Sequence, residues 1–148
     1  MEKMRIEQGD WVVVCDGAKA LVFENIGDAK FPNLKTKEVY EQEVPATSEM
    51  GTDAPGRLGS SADGRRSAVE QTDWHDEAEK TFLHKLTGHL NHAVEQGQAK
   101  SVIVVAPPRA LGILRQNYSP QLQKAIRSEL GKDYVRMPVH EIEKHLTG

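Results

Sequence analysis

Five arginines define most of the chemistry open to this chain. Arg57, Arg65 and Arg66 lie in the stretch Ala54–Ser67, APGRLGSSADGRRS, among glycines and serines. Arg109 closes the motif APPR, and Arg115 follows in the same segment. A guanidinium presents a planar fork of N–H donors that matches two oxygens of one phosphate. The glycine-rich stretch runs toward the start of a long helical pattern, and a helix start offers free N–H groups to anions. Phosphate or RNA binding is one reading of these positions. The other is a solvated loop without a ligand. Residues 46–72 hold three arginines against four acids, Glu49, Asp53, Asp63 and Glu70. The expected first helical turn, with Asp76 and Glu77, is acidic as well.

Other side chains that do chemistry are scattered. His75, His84, His89 and His92 fall on the expected long helix. His89 and His92 are three apart, so they share a face and could begin a metal site. No H-E-x-x-H pattern supplies a third ligand, and solvated helix histidines explain the spacing too, so no metal is expected. Asp16 stands after the first apolar run, either as a lone acid or as the residue that makes the turn of Asp16-Gly17. Ser60, Ser61 and Ser67 lack a G-x-S-x-G elbow. No G-x-G-x-x-G follows the first strand and no Walker A sequence occurs, so no cofactor is expected. The single cysteine, Cys15, lies in an apolar run and reads as a small buried hydrophobe.

The elements that must position these groups follow from periodicity. Trp11–Cys15 and Ala20–Glu24 are β-branched, apolar runs joined by Asp16-Gly17, which predicts an antiparallel hairpin. Residues 34–44 suit a half-exposed third strand ending near Pro45. Residues 46–72 lack a period and read as one long loop. Thr72 or Asp73 is then the expected N-cap of a helix over 73–96. Phe82, Leu83, Leu86, Leu90, Ala93 and Val94 form its buried stripe, and Gly97 ends it. Ser101–Ala106 is apolar nearly throughout and predicts a strand covered on both faces. Pro107 and Pro108 stop it and open a short helix. Ser119-Pro120 opens another, with Leu122, Ala125, Ile126 and Leu130 as its apolar face and Gly131 as its end. Tyr134–Pro138 suits a short strand, and Pro138 opens a terminal helix. The fold class is α/β, a mixed β-sheet with an N-terminal antiparallel hairpin, flanked by helices.

Length and composition fit a single domain over 1–148. The chain has 148 residues, 38% hydrophobic and 28% charged, with net charge −3. That balance announces neither nucleic acid nor an anionic membrane, so a basic site must be local. No run is long and apolar enough for a membrane span, and the N-terminus lacks a signal-peptide core. A cytoplasmic protein with no membrane partner is the expectation.

The blocks WVVVCDGAKALVFEN, GRLGSSADGRRSA leading to TDWHDEAEKTFLHKL, and SVIVVAPPRALGILR followed by SPQLQKAI resemble the bacterial host attachment family, small proteins required for attachment to host cells. That family is similar in turn to the central domain of archaeal and eukaryotic class I peptide-release factors. The resemblance implies a mixed sheet flanked by helices, with a functional loop just before the long helix. In the release factors this loop carries Gly-Gly-Gln. Here it carries Gly-Ser-Ser and Gly-Arg-Arg, and the single Gly-Gln, Gly97-Gln98, follows the helix instead. The resemblance thus implies a non-catalytic binding or regulatory protein facing RNA, the ribosome or a protein partner, with Arg57, Arg65, Arg66 and Arg109 as phosphate contacts. A role in attachment is then read as indirect. The alternative is a hydrolase of peptidyl-tRNA or a phosphoester, built around Asp16, His75 and the loop arginines. The oligomeric state is left open.

Overall fold

The structure, a computed structural model, describes residues 5–42 and 64–147, with residues 64–75 described through their backbone alone. Three strands come first: β1 (Trp11–Cys15), β2 (Lys19–Asn25) and β3 (Leu34–Glu41). Helix α1 (Gly64–Glu95) leads to β4 (Val102–Val105), then α2 (Pro108–Arg115), α3 (Pro120–Ala125), β5 (Ile126–Leu130) and α4 (Val139–Thr147). The five strands form one sheet in the order β3-β2-β1-β4-β5. β1–β2 and β2–β3 are antiparallel, whereas β1–β4 and β4–β5 are parallel. The mixed α/β sheet expected from the pattern is the observed one.

The hairpin forms where the sequence placed it. Cys15 pairs with Ala20 and Trp11 with Glu24. Asp16 makes the turn: its Oδ1 accepts hydrogen bonds from Ala18 N at 2.8 Å and Lys19 N at 2.9 Å. This side-chain mimic of a backbone turn is what Asp supplies at such positions. Between β2 and β3 the register shifts at Val22/Phe23, so that Lys37 stands as an extra residue in β3.

Alternation along β1 and β4 divides the core between two faces. Trp11, Val13, Cys15, Val102 and Val104 pack with Phe82, Leu83, Leu86, Leu90 and Ala93 of α1 and with α2 and α3. Val12, Val14, Ile103 and Val105 pack instead with Val135 and with Ile142 and Leu146 of α4. β1 and β4 are therefore buried on both faces, which is why they read as unbroken apolar runs. Each buried Val or Leu contributes about 1.5–3 kcal/mol. α1 ends in paired hydrogen bonds, Gly97 N to Val94 O and Gln98 N to Ala93 O, around a left-handed Gly97 with φ 78°.

Three expectations need correction. α1 begins at Gly64, not at Thr72 or Asp73, and its first turn holds no acid. Residues 65–72 lack an apolar stripe, but they hold neither proline nor glycine to stop a helix. The helix expected through Leu130 ends at Ala125, after the Ser119 cap bonds Leu122 N at 3.0 Å. Ile126–Leu130 is β5, paired parallel to β4. Ile126, Ser128 and Leu130 fit a period of two as well as a helix, and β4 would otherwise leave its backbone edge unpaired. Tyr134–Pro138 is a turn, with Met137 N bonded to Tyr134 O, and not a strand.

Candidate functional site

The carboxyl ends of β1 and β4 bring several singled-out residues together. β4 runs through Pro107-Pro108 into α2, which sets Arg109 just past the carboxyl end of β4. Its Nε lies 2.8 Å from Glu79 Oε1 and its Nη2 3.1 Å from Asp76 Oδ1. Both acids belong to α1. The Glu79 hydrogen bond and charge, with Asp76 behind them, raise the Arg109 pKa above its ordinary value. The Glu79 carboxyl also stands over Gly17 so closely that a Cβ there would collide with it. The turn after β1, the start of α2 and the middle of α1 meet at this point.

Arg115 is held in the same manner one element further on. Its Nε and Nη2 lie 2.9 and 2.6 Å from Glu129 Oε1, and Tyr118 donates its hydroxyl to Glu129 Oε2 at 2.8 Å. Partial burial of Glu129 works to raise its pKa, but the hydrogen bonds from Arg115 and Tyr118 and the Arg115 charge outweigh it and lower the value. Burial, and then the bond to Glu129, raises that of Tyr118.

Arg57 lies outside the described residues. Arg65 and Arg66 are carried by the first turn of α1, and His75 by its fourth, with their side chains outside the description. His89 and His92 are exposed on α1, and His89 stacks on Tyr40 with ring centroids 4.5 Å apart and planes 12° apart. No group of three or more metal-ligating side chains gathers among the described residues. Cys15 is buried, and that burial, followed by the nearby Asp16 charge, pushes its thiol pKa up to about 12. The acids nearest Arg109 and Arg115 are thus already engaged in ion pairs, and Asp16 Oδ1 is engaged by its own turn.

Sequence reasoning missed two features. A groove of about 380 Å³ opens between β3 and α1, lined among others by Tyr40, Glu77, Phe82, Lys85, Leu86 and His89. A cavity of about 620 Å³ lies beside the Asp16 turn and the segment before α4. The half-buried Tyr40 and the exposed His89, far apart in sequence, gave no sign of meeting.

A family model described as "Protein required for attachment to host cells" matches residues 11–146. The chain belongs to that family. Among curated proteins, none matches it in sequence. Among solved structures, this host attachment protein is similar to Dom34 of S. cerevisiae, a translation termination-like factor involved in RNA quality control pathways and interacting with Hbs1. The identity is 11% and the TM-score 0.39, over 96% of this chain and 37% of that one. The match thus spans about two fifths of Dom34. In the host attachment protein, the described residues hold no helix long and apolar enough to cross a membrane.

Proposed function

We propose that this host attachment protein is a non-catalytic binding protein that engages RNA phosphates, ribosomal RNA included, through the opening of α1. One observation carries the reading: α1 starts at Gly64, so Arg65 and Arg66 fall in its first turn and no acid shares it. A helix of 32 residues is about 48 Å long, and its N-terminal end carries partial positive charge. The acidic first turn expected from the sequence would have opposed an anion. The first turn that forms holds no acid to oppose one. Arg57, seven residues earlier in the sequence and outside the described residues, belongs to the same proposal.

Arg109 and Arg115 take a supporting part in this reading. Each is exposed yet paired with carboxylates, so each fixes the scaffold and contributes charge only at the margin. The hydrolase reading gains nothing from the geometry, since Asp16 serves its turn and Arg109 occupies Asp76 and Glu79. A cytoplasmic place and an indirect part in host attachment follow from this reading.

The test is co-sedimentation with ribosomes and with purified ribosomal RNA across a salt series, beside Arg65→Glu/Arg66→Glu. Binding should weaken with salt, and the variant should lose it with a shallower salt slope. Equal binding by the variant, or no binding at low salt, would sink the proposal.

A further inference from the structure

We propose that the cavity beside the Asp16 turn binds a small amphipathic anion, a carboxylate or phosphate monoester attached to an apolar body about the size of one ring. The site lies on the sheet face covered by α4 and stands independently of RNA binding. The cavity is a solvent-open depression of about 620 Å³. It sits at the carboxyl end of β1, beside the turn of the antiparallel β1–β2 hairpin.

The lining divides by chemistry. Leu21, Val135, Met137 and Pro138 supply an apolar wall. Lys19 and Arg136 supply two cations. Lys19 has one ion pair among the described residues, to Glu41 at 4.0 Å, and its side chain is 44% exposed. Arg136 is exposed, and no carboxylate of the described residues pairs with it within salt-bridge distance. This contrasts with Arg109, Arg115 and Arg127, each of which is paired. Asp16 is the one acid in the lining, and its Oδ1 is taken by Ala18 N and Lys19 N. Lys19 shares its charge with Glu41 at 4.0 Å, so Arg136, unpaired among the described residues, is the cation that offers itself to one negative charge of a ligand. A ligand N–H or O–H could donate to Asp16 Oδ2.

The frame is set before any ligand arrives. Asp16 N bonds Lys19 O at 2.9 Å, Met137 N bonds Tyr134 O at 3.0 Å, and Ile142 N bonds Pro138 O at 3.1 Å. Both walls are therefore tied, one by the hairpin turn and one by the turn that opens α4. Preorganised walls reduce the ordering cost of binding.

The experiment is an amide NMR titration of the full chain with phenyl phosphate and, separately, with inorganic phosphate. Phenyl phosphate should shift the amides of Ala18, Lys19, Val135 and Met137 saturably, with a Kd on the order of 1 mM. Inorganic phosphate should bind at least about tenfold more weakly, because it cannot use the apolar wall. Arg136→Glu, at an exposed position, should fold with unchanged Tm and weaken phenyl phosphate about tenfold or more. Absence of saturable shifts at these amides, or an unchanged Kd in Arg136→Glu, would overturn the site. Equal affinity for the two probes would overturn the amphipathic ligand class.

Discussion

Glu79 meets Gly17 and Arg109 at once: its carboxylate accepts from Arg109 Nε at 2.8 Å while standing where a Cβ of residue 17 would be. α1 thus closes on the hairpin turn only because residue 17 of that turn has no side chain. Gly17 does not have a positive φ, so alanine is conformationally allowed there and only the contact is at stake. Gly17→Ala should push Glu79 aside and lower stability by about 1 kcal/mol. In a Glu79→Ala background most of that cost should vanish, giving a coupling of about 0.5 kcal/mol or more in a double-mutant cycle. Equal costs in both backgrounds would mean that the two residues do not interact.

Asn25 is the polar residue on which most backbone depends. It is fully buried, and its Nδ2 donates to Ile6 O, Glu7 O and Asp28 O while its Oδ1 accepts from Gly27 N and Asn33 N. Asn25→Ala would strand several of these groups, each costing about 1–3 kcal/mol when left buried. Urea melts should show a loss of about 3 kcal/mol or more, larger than for any exposed polar residue. A loss below about 1 kcal/mol would place water in that role instead.

The acid limb of stability should pass through Glu129. Its folded pKa lies below the model-compound value of 4.5, so its stabilisation is complete above that value and is lost as pH falls through the folded one. Tyr118→Phe removes one of the hydrogen bonds that hold it down. Tm measured between about pH 6 and pH 3 should fall less steeply on the acid side in this variant than in the wild type. Parallel curves would exclude Glu129 from acid unfolding.

Cys15 should be silent to thiol reagents. With its pKa raised to about 12 and no exposed surface, it forms almost no thiolate at pH 8 and cannot be reached. Labelling by a disulfide reagent should proceed only through opening of β1, at a rate that rises with urea. Rapid stoichiometric labelling of the native protein would contradict the packing of β1 against α1.

Legibility in the sequence followed the range of the interactions. The β1–β2 hairpin could be read because Asp16-Gly17 and two flanking β-branched runs are adjacent and specify the turn locally. The buried stripe of α1 could be read because Phe82 to Ala93 repeat at helical spacing. β5 could not, because Ile126, Ser128 and Leu130 satisfy two periods, and the edge of β4 that decides between them comes from another part of the chain. The start of α1 was misplaced because Thr72-Asp73 imitates a cap within a stretch that nothing interrupts. Arg109 was recognised as a cation, but its partners lie 30 and 33 positions away, beyond any local pattern. The 620 Å³ cavity was invisible for the same reason, since Lys19 and Arg136 come together only through the tertiary fold.

The extra residue in β3 has a further consequence. Lys37 stands where the ladder with β2 skips, pairs with Glu24 at 3.1 Å and lies 5.1 Å from the centre of the Trp11 ring. β3 is an end strand of the sheet, with Lys35, Lys37, Glu38 and Glu41 along it. An incoming strand from another molecule would meet a kinked rail studded with charge rather than a straight row of free amides. The irregularity that breaks the register inside the molecule therefore also makes this end of the sheet a poor template for growth outward into fibrils.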